Sequence, residues 1–180
     1  MKLTGILLAA AALPIFAQEI KLPANVEALA SKAEETVDVT MDKSMLRFAT
    51  KFLSDKDHDE AKAKKLIAGL DGIFIRSFEF GSTGAYSAAD VEAIRAQLKG
   101  PGWGRIVGVK SKSGGENVDV YFKDAGNDRL GGIVIIAAEP KELTIVSIQG
   151  TLDLDQLAEL GGKCGLLRME LGGRHGWRKL

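Results

Sequence analysis

The sequence predicts an α+β fold of two layers, with helices packed on one face of a mostly antiparallel sheet that contains a four-strand C-terminal meander. Two observations carry this reading. Apolar residues at helical spacing dominate the first hundred positions, whereas strand-like runs follow one another over residues 105–149. The breaks between those runs, at Ser113-Gly114-Gly115, residues 124–128 and Glu139-Pro140-Lys141, are short enough to allow only antiparallel neighbours.

A helix over residues 23–33 starts on a proline and sets Val26, Leu29, Ala30 and Ala33 on one face. The period then changes. Val37, Val39 and Met41 alternate with Thr36, Asp38 and Thr40, the pattern of a strand with one buried face. Asp42 suits the cap of a second helix, in which Met45, Phe48, Ala49 and Phe52 repeat at helical spacing. Residues 54–60 interrupt it. A third helix follows with Ala63, Leu66, Ile67 and Leu70 as its inner stripe, ended by Gly69 or Gly72. Residues 73–80 have the β-branched and aromatic content of a strand.

Ser87-Ala88-Ala89-Asp90 opens the next helix as a capping box with Asp in place of Glu, and Val91, Ile94 and Leu98 point inward. After Gly100-Pro101-Gly102 the four strands are expected at 105–111, 117–123, 130–138 and 143–149. Ile133-Val134-Ile135-Ile136 lacks a polar face and is expected in a central strand. Asp153 suits the cap of a last short helix, with Gln156 three residues on and Gly161-Gly162 closing it; residues 166–171 are a candidate final strand.

The amino terminus reads as an export signal. Lys2 supplies the positive start, residues 3–12 the apolar run, and Ile15-Phe16-Ala17 a small-residue cleavage site before Gln18. The run is shorter than the ~20 apolar residues a membrane-spanning helix needs. A lipoprotein needs cysteine where Gln18 stands, so no lipid anchor is expected. The expected organisation is a signal peptide at 1–17, a single α+β domain at 18–162 and a tail at 163–180, in a periplasmic or secreted protein with no integral membrane span once the signal is removed. The single cysteine, Cys164, allows no intramolecular disulfide, so an ordinary core must hold the fold. Removing the first seventeen residues takes only Lys2 from the charge balance, leaving 23 basic and 24 acidic groups. Such a balance offers no long-range field for nucleic acid, and nucleic-acid binding is not expected.

Candidate sites are few. Asp55-Lys56-Asp57-His58-Asp59-Glu60 resembles a cation loop, but the sixth and twelfth positions from Asp55 are Glu60 and Leu66, where a calcium loop needs Gly and Glu. The favoured reading is an acidic helix start that caps N–H groups and offsets the dipole. Cys164 has only His58 and His175 as partners for a nucleophilic pair and no recognisable flanking signature, and three scattered ligands suit no zinc site. Gly102-Trp103-Gly104 lacks the third glycine of a dinucleotide loop and precedes a strand. No catalytic, cofactor-binding or metal residue is therefore expected, and no cofactor. Glu79, Asp119 and Asp153 are carboxylates that a cleft would have to bring together. Trp103, at a strand entry, reads as an anchor closing the sheet end. Arg168, Arg174, His175, Arg178 and Lys179 with Trp177 make the tail basic and aromatic, suited to solvent or, as a third reading, to lipid headgroups.

Two groups of segments carry a family resemblance. One is Val37-Asp38-Val39-Thr40-Met41, Lys51-Phe52-Leu53 and Leu70-Asp71-Gly72-Ile73-Phe74-Ile75-Arg76-Ser77-Phe78-Glu79-Phe80. The other is Trp103-Gly104-Arg105-Ile106-Val107, Val118-Asp119-Val120-Tyr121 and Glu142-Leu143-Thr144-Ile145-Val146-Ser147-Ile148-Gln149-Gly150, leading to Leu152-Asp153-Leu154-Asp155-Gln156-Leu157. Over residues 22–160 the chain resembles the domain-of-unknown-function family four-two-five-two, found in exported and lipoprotein-type proteins of Gram-negative bacteria. The resemblance implies no activity, cofactor or catalytic residue. The chain departs from many relatives in lacking the lipidated cysteine.

The expected function is that of an exported envelope protein, a non-enzymatic binding or structural module that engages a protein or cell-envelope component through its sheet. Lys110, Lys112, Asp119, Tyr121 and Lys123 are its expected outward positions. The alternative is a carboxylate-based hydrolase or small-ligand binder in the periplasm, which requires two converging acids in a cleft.

Overall fold

A computed structural model describes residues 20–111, 115–127 and 129–153. The helices are α1 (Ala24–Glu27, continued by a 3-10 turn over Ala28–Ser31), α2 (Lys43–Ala49, continued by a 3-10 turn over Thr50–Phe52), α3 (His58–Ala68) and α4 (Ala88–Gln97). The strands are β1 (Glu35–Asp42), β2 (Leu70–Glu79), β3 (Trp103–Val109), β4 (Asn117–Asp124), β5 (Arg129–Glu139) and β6 (Glu142–Asp153). They form one antiparallel sheet in the order β1-β2-β6-β5-β4-β3. The α+β class and the meander β3–β6 stand as expected. The apolar run Ile133 to Ile136 lies in β5, inside the sheet between β4 and β6.

The expected placement of all helices on one face does not survive the register. Side chains alternate faces along a strand. Phe78, Leu143, Ile145, Ile136, Val134 and Tyr121 fall on one face and pack with Val26 and Leu29 of the α1 segment and with Val91, Ile94 and Leu98 of the α4 segment. Ile73, Ile148, Ile133 and Phe122 fall on the other and pack with Leu46 of α2 and with Leu66 and Ile67 of α3. Helices therefore flank the sheet on both sides. The reason is visible in β5 and β6: with Ile133, Ile135, Val146 and Ile148 on the second face, both faces are apolar and neither is suited to water.

The first face holds the tighter core. Val26, Ile94, Val134, Ile136, Leu143 and Ile145 are each fully buried, at ~1.5–3 kcal/mol per side chain removed from water. Phe78 stacks on Phe80, which in turn packs against Tyr86. The Ser87 capping box forms as the spacing implies: the Ser87 hydroxyl accepts from the Asp90 amide and the Asp90 carboxylate accepts from the Ser87 amide at 2.8 Å. Asn25 donates to the same carboxylate at 2.7 Å, tying α1 to α4.

Leu70 begins β2 rather than ending the third helix, because Gly69 closes α3 and its carbonyl accepts from the Thr151 amide at 2.8 Å. Gly69 and Gly150 approach so closely here that a β-carbon on Gly150, whose φ is +136°, would meet the Gly69 carbonyl at 2.4 Å. Only glycine fits such a backbone. The helix expected after Asp153, Cys164, His175 and the basic tail lie outside the described residues, as does the expected signal.

Candidate functional site

Position α2 first. Asp42 caps it, its carboxylate accepting from the Met45 amide at 2.8 Å and from the Ser44 hydroxyl at 2.6 Å. These bonds hold the Asp42 carboxyl below the usual carboxylate range, the serine bond most. The helix then follows β1 directly and lies on β1 and β2. Its single buried side chain is Leu46, set among Leu70, Leu130 and Leu152.

That anchoring turns the stripe at 45, 48, 49 and 52 away from the sheet. Helical spacing suggests a core-facing stripe there, yet Met45 is 51% exposed, Phe48 59% and Phe52 74%. Phe48 and Phe52 meet edge to face at 5.2 Å, and the Lys51 ammonium sits 5.9 Å from the Phe48 ring. Met41, Ser44, Met45, Phe48, Ala49 and Phe52 line an open groove of about 400 Å³. Val37, on edge strand β1, is 40% exposed. Contiguous exposed aromatic and methionine surface is the signature of a docking site rather than of scattered surface apolars.

Charge accompanies the stripe. Lys43, Arg47 and Lys51 recur every fourth residue along it. Lys43 is paired with Asp71 at 2.6 Å. Among the described residues, Arg47 and Lys51 form no ion pair, and both are exposed. The acidic run after them behaves as a helix start: Asp57 accepts from the Asp59 and Glu60 amides at 2.9 and 3.0 Å, Glu60 from the Ser54 amide at 2.6 Å, and Asp55 from Lys64 at 2.7 Å.

The carboxylates an enzymatic cleft would need stand apart. Glu79 ends β2 opposite Glu142, at the start of β6. Asp153 ends β6 opposite Arg129, eleven residues along the strand from Glu142, or roughly 35 Å. Asp119 is on neither edge. The expectation that Asp119 and Tyr121 face outward is corrected: they are 1% and 8% exposed, because they lie on the face that α1 and α4 cover. Asp119 Oδ2 accepts from Arg95 Nε at 2.8 Å and from Arg95 Nη2, and Oδ1 accepts from Arg105 Nη1 at 3.0 Å. A carboxylate with both oxygens engaged by guanidinium groups is a structural tie, not a free acid or base. Lys110 is exposed and Lys123 lies over the Trp103 ring, which packs against the core beneath α4. Lys112 falls outside the described residues.

A cleft of about 610 Å³ lies at the start of α4 and is lined among others by Tyr86, Arg95, Lys110, Asn117 and Glu139. The Tyr86 hydroxyl donates to the carbonyl oxygens of Glu139 and Glu142, and burial raises its pKa above that of a free phenol. Asn117 accepts from the Ser111 amide, and Arg95 is held by Asp119. Tyr86, Arg95 and Asn117 are thus engaged within the fold. Among the described residues no three His, Cys, Asp or Glu side chains are grouped to hold a metal, and no helix is long and apolar enough to cross a membrane.

What sequence reasoning missed is the α2 surface. The one available signal was the basic repeat at 43, 47 and 51, which fits a helix anchored by Leu46 alone. Compared with known proteins, the chain matches the model of a family described as "Domain of unknown function (DUF4252)" over residues 30–160. No curated protein and no solved structure matches it.

Proposed function

The chain belongs to the DUF4252 family, and from that premise we propose that it is an exported, non-enzymatic binding module of the cell envelope that docks another protein on α2. The observation that carries this is the solvent-facing Met45-Phe48-Phe52 stripe with Arg47 and Lys51 beside it, which form no ion pair among the described residues. The partner is a segment that presents apolar side chains flanked by carboxylates: apolar groups fill the 400 Å³ groove, and carboxylates meet the two cations. Methionine and two edge-to-face phenyl rings can repack around such a segment. A lipid surface is disfavoured because Asp55, Asp57, Asp59 and Glu60 follow within a few residues and would repel anionic headgroups. The expectation of a cleaved signal at residues 1–17 supports a periplasmic or extracellular setting for this binding.

The test is site-specific photo-crosslinking in the native envelope. A benzophenone residue at Phe48 or Met45 is expected to capture one discrete protein that the same probe at Lys65, exposed on α3, does not. Arg47→Glu with Lys51→Glu should abolish the product while leaving the melting temperature unchanged. A product insensitive to charge reversal, or no product, overturns the reading. Vesicles of phosphatidylglycerol that bind the protein through Phe48 would overturn it in favour of a membrane surface.

A further inference from the structure

The sheet face that carries α2 and α3 is covered at one end only. Those helices pack over the row of side chains that runs through Ile73, Ile148 and Ile133. Two residues further along the strands, the register aligns Val39, Ile75, Val146, Ile135, Val120 and Val107 across all six strands. All six are β-branched aliphatics on this face, each is half-buried, and none belongs to either core. The next row, from exposed Val37 on β1 to exposed Val109 on β3, carries no charge. A sheet face left in water ordinarily alternates to polar side chains, so two such rows mark an interface.

What covers these rows has to match a step and a charge. A helix layer stands about 10 Å above its sheet, so a flat partner that touches α2 leaves the rows open. On α2, Phe48 lies about 200° around the helix from Leu46, so α2 is apolar toward its own sheet and again on the opposite side. The two rows end at a third on the same face, Glu35, Glu79, Glu142 and Glu139, aligned across β1, β2, β6 and β5. Among the described residues these four carboxylates form no ion pair, and neither do Arg47 and Lys51. The sheet therefore presents apolar side chains flanked by carboxylates, the chemistry that the α2 surface selects.

We propose that the partner docked on α2 is a second copy of this chain, related by a two-fold axis, an assignment that rests on α2 being a docking surface and names its occupant. The α2 of each copy sits on the uncovered rows of the other, so the two steps interlock. Each α2 then lies between two sheets, reaching its own through Leu46 and its partner's through Phe48, while Arg47 and Lys51 meet the glutamate row. The contact is isologous, so both copies use the same surface. The uncovered rows with their glutamates span roughly 550 Å² of sheet, and the outer side of α2 adds about 150 Å². That approaches the ~800 Å² that each partner contributes to a stable interface.

Sedimentation velocity of the purified full chain over a dilution series tests it, and a reversible dimer is expected. Arg47→Glu with Lys51→Glu should weaken the dimer roughly tenfold, and adding Glu79→Lys with Glu139→Lys to that variant should restore it. Val37→Lys with Val109→Lys, at exposed positions on the two edge strands, should weaken it to a similar extent and leave the circular dichroism spectrum unchanged. Benzophenone at Phe48, in a mixture of unlabelled and isotope-labelled protein, should join one light chain to one heavy chain, with the linked peptide drawn from β2, β5 or β6. Links confined to single chains overturn the proposal. A dimer indifferent to the valine replacements, or a charge swap that fails to restore association, overturns it as well. A monomer at every concentration also overturns it. If the Phe48 probe then captures a different protein in the native envelope, the docking role of α2 stands and only its occupant falls; no capture in either setting defeats both.

Discussion

Replacing Asp119 by alanine removes the carboxylate that holds both Arg95 and Arg105. Asp119 is 1% exposed, and the Arg95 and Arg105 side chains are 18% and 49% exposed. Deleting one partner of a buried pair costs about 3–5 kcal/mol, because a desolvated charge is left behind. Here the lower end applies. Arg105 is half in water and rehydrates, and Arg95 keeps Glu92 at 3.8 Å, so the expected loss is about 3 kcal/mol. With a urea slope of about 1.5 kcal/mol per molar, the unfolding midpoint should fall by about 2 M at unchanged slope. Asp119→Asn keeps one acceptor oxygen for Arg95 but loses the charge and turns an amide donor toward Arg105, so it should lose somewhat less than Asp119→Ala. Arg105→Ala should cost less than about 1 kcal/mol, since its partner stays engaged by Arg95. The measurement is equilibrium urea unfolding followed by circular dichroism and fluorescence together. Asp119→Ala within 1 kcal/mol of the parent protein, at equal slope, would refute the reasoning that this carboxylate ties α4 to the sheet.

Other changes act through different physics. Ile94→Ala removes a side chain with no exposure between α4 and the sheet and should cost about 3–4 kcal/mol in the same assay. Gly150→Ala puts a β-carbon into the Gly69 backbone at a φ of +136°, so it should destabilise by well over 1 kcal/mol and lower the melting temperature sharply. Ser87→Ala removes the cap of α4 at about 1 kcal/mol, seen as a lower thermal midpoint. The Asp90 carboxyl is held below its ordinary value of 3.8, first by the Asn25 side chain and then by the Ser87 amide. A depressed folded value stabilises above the unfolded one, so this contribution is fully present near neutral pH and is lost as pH falls below 3.8 through the lower folded value. Asn25→Ala should therefore lower the melting temperature at neutral pH and shrink its fall on acidification below that point.

Local chemistry was legible in residue order. Asp42, Asp57 and Ser87 cap helices because a short oxygen side chain followed by helix formers has few better uses. Val91, Ile94 and Leu98 are buried as their spacing requires, and the short turns after β4 and β5 leave only hairpin neighbours. Periodicity, however, states that a helix or strand has an apolar side without stating what that side meets. The stripe of α2 and the outward reading of Asp119 and Tyr121 both turned on that missing fact. In α2 one residue, Leu46, reaches the sheet, and the geometry of the β1–α2 junction exposes the more obvious stripe. In β4 polar Asp119 faces the core because Arg95, from a helix twenty-four residues earlier, and Arg105, from the neighbouring strand, arrive to neutralise it.

By itself, the order of residues determined most of the described elements, the caps at Asp42 and Ser87, the antiparallel meander and the family, since each depends on interactions within a few positions along the chain. Which face each helix takes, which apolar stripe stays in water and which carboxylate is locked between two arginines were decided only by tertiary structure. Those outcomes depend on contacts between residues far apart in sequence, and no local spacing encodes the partner across the sheet.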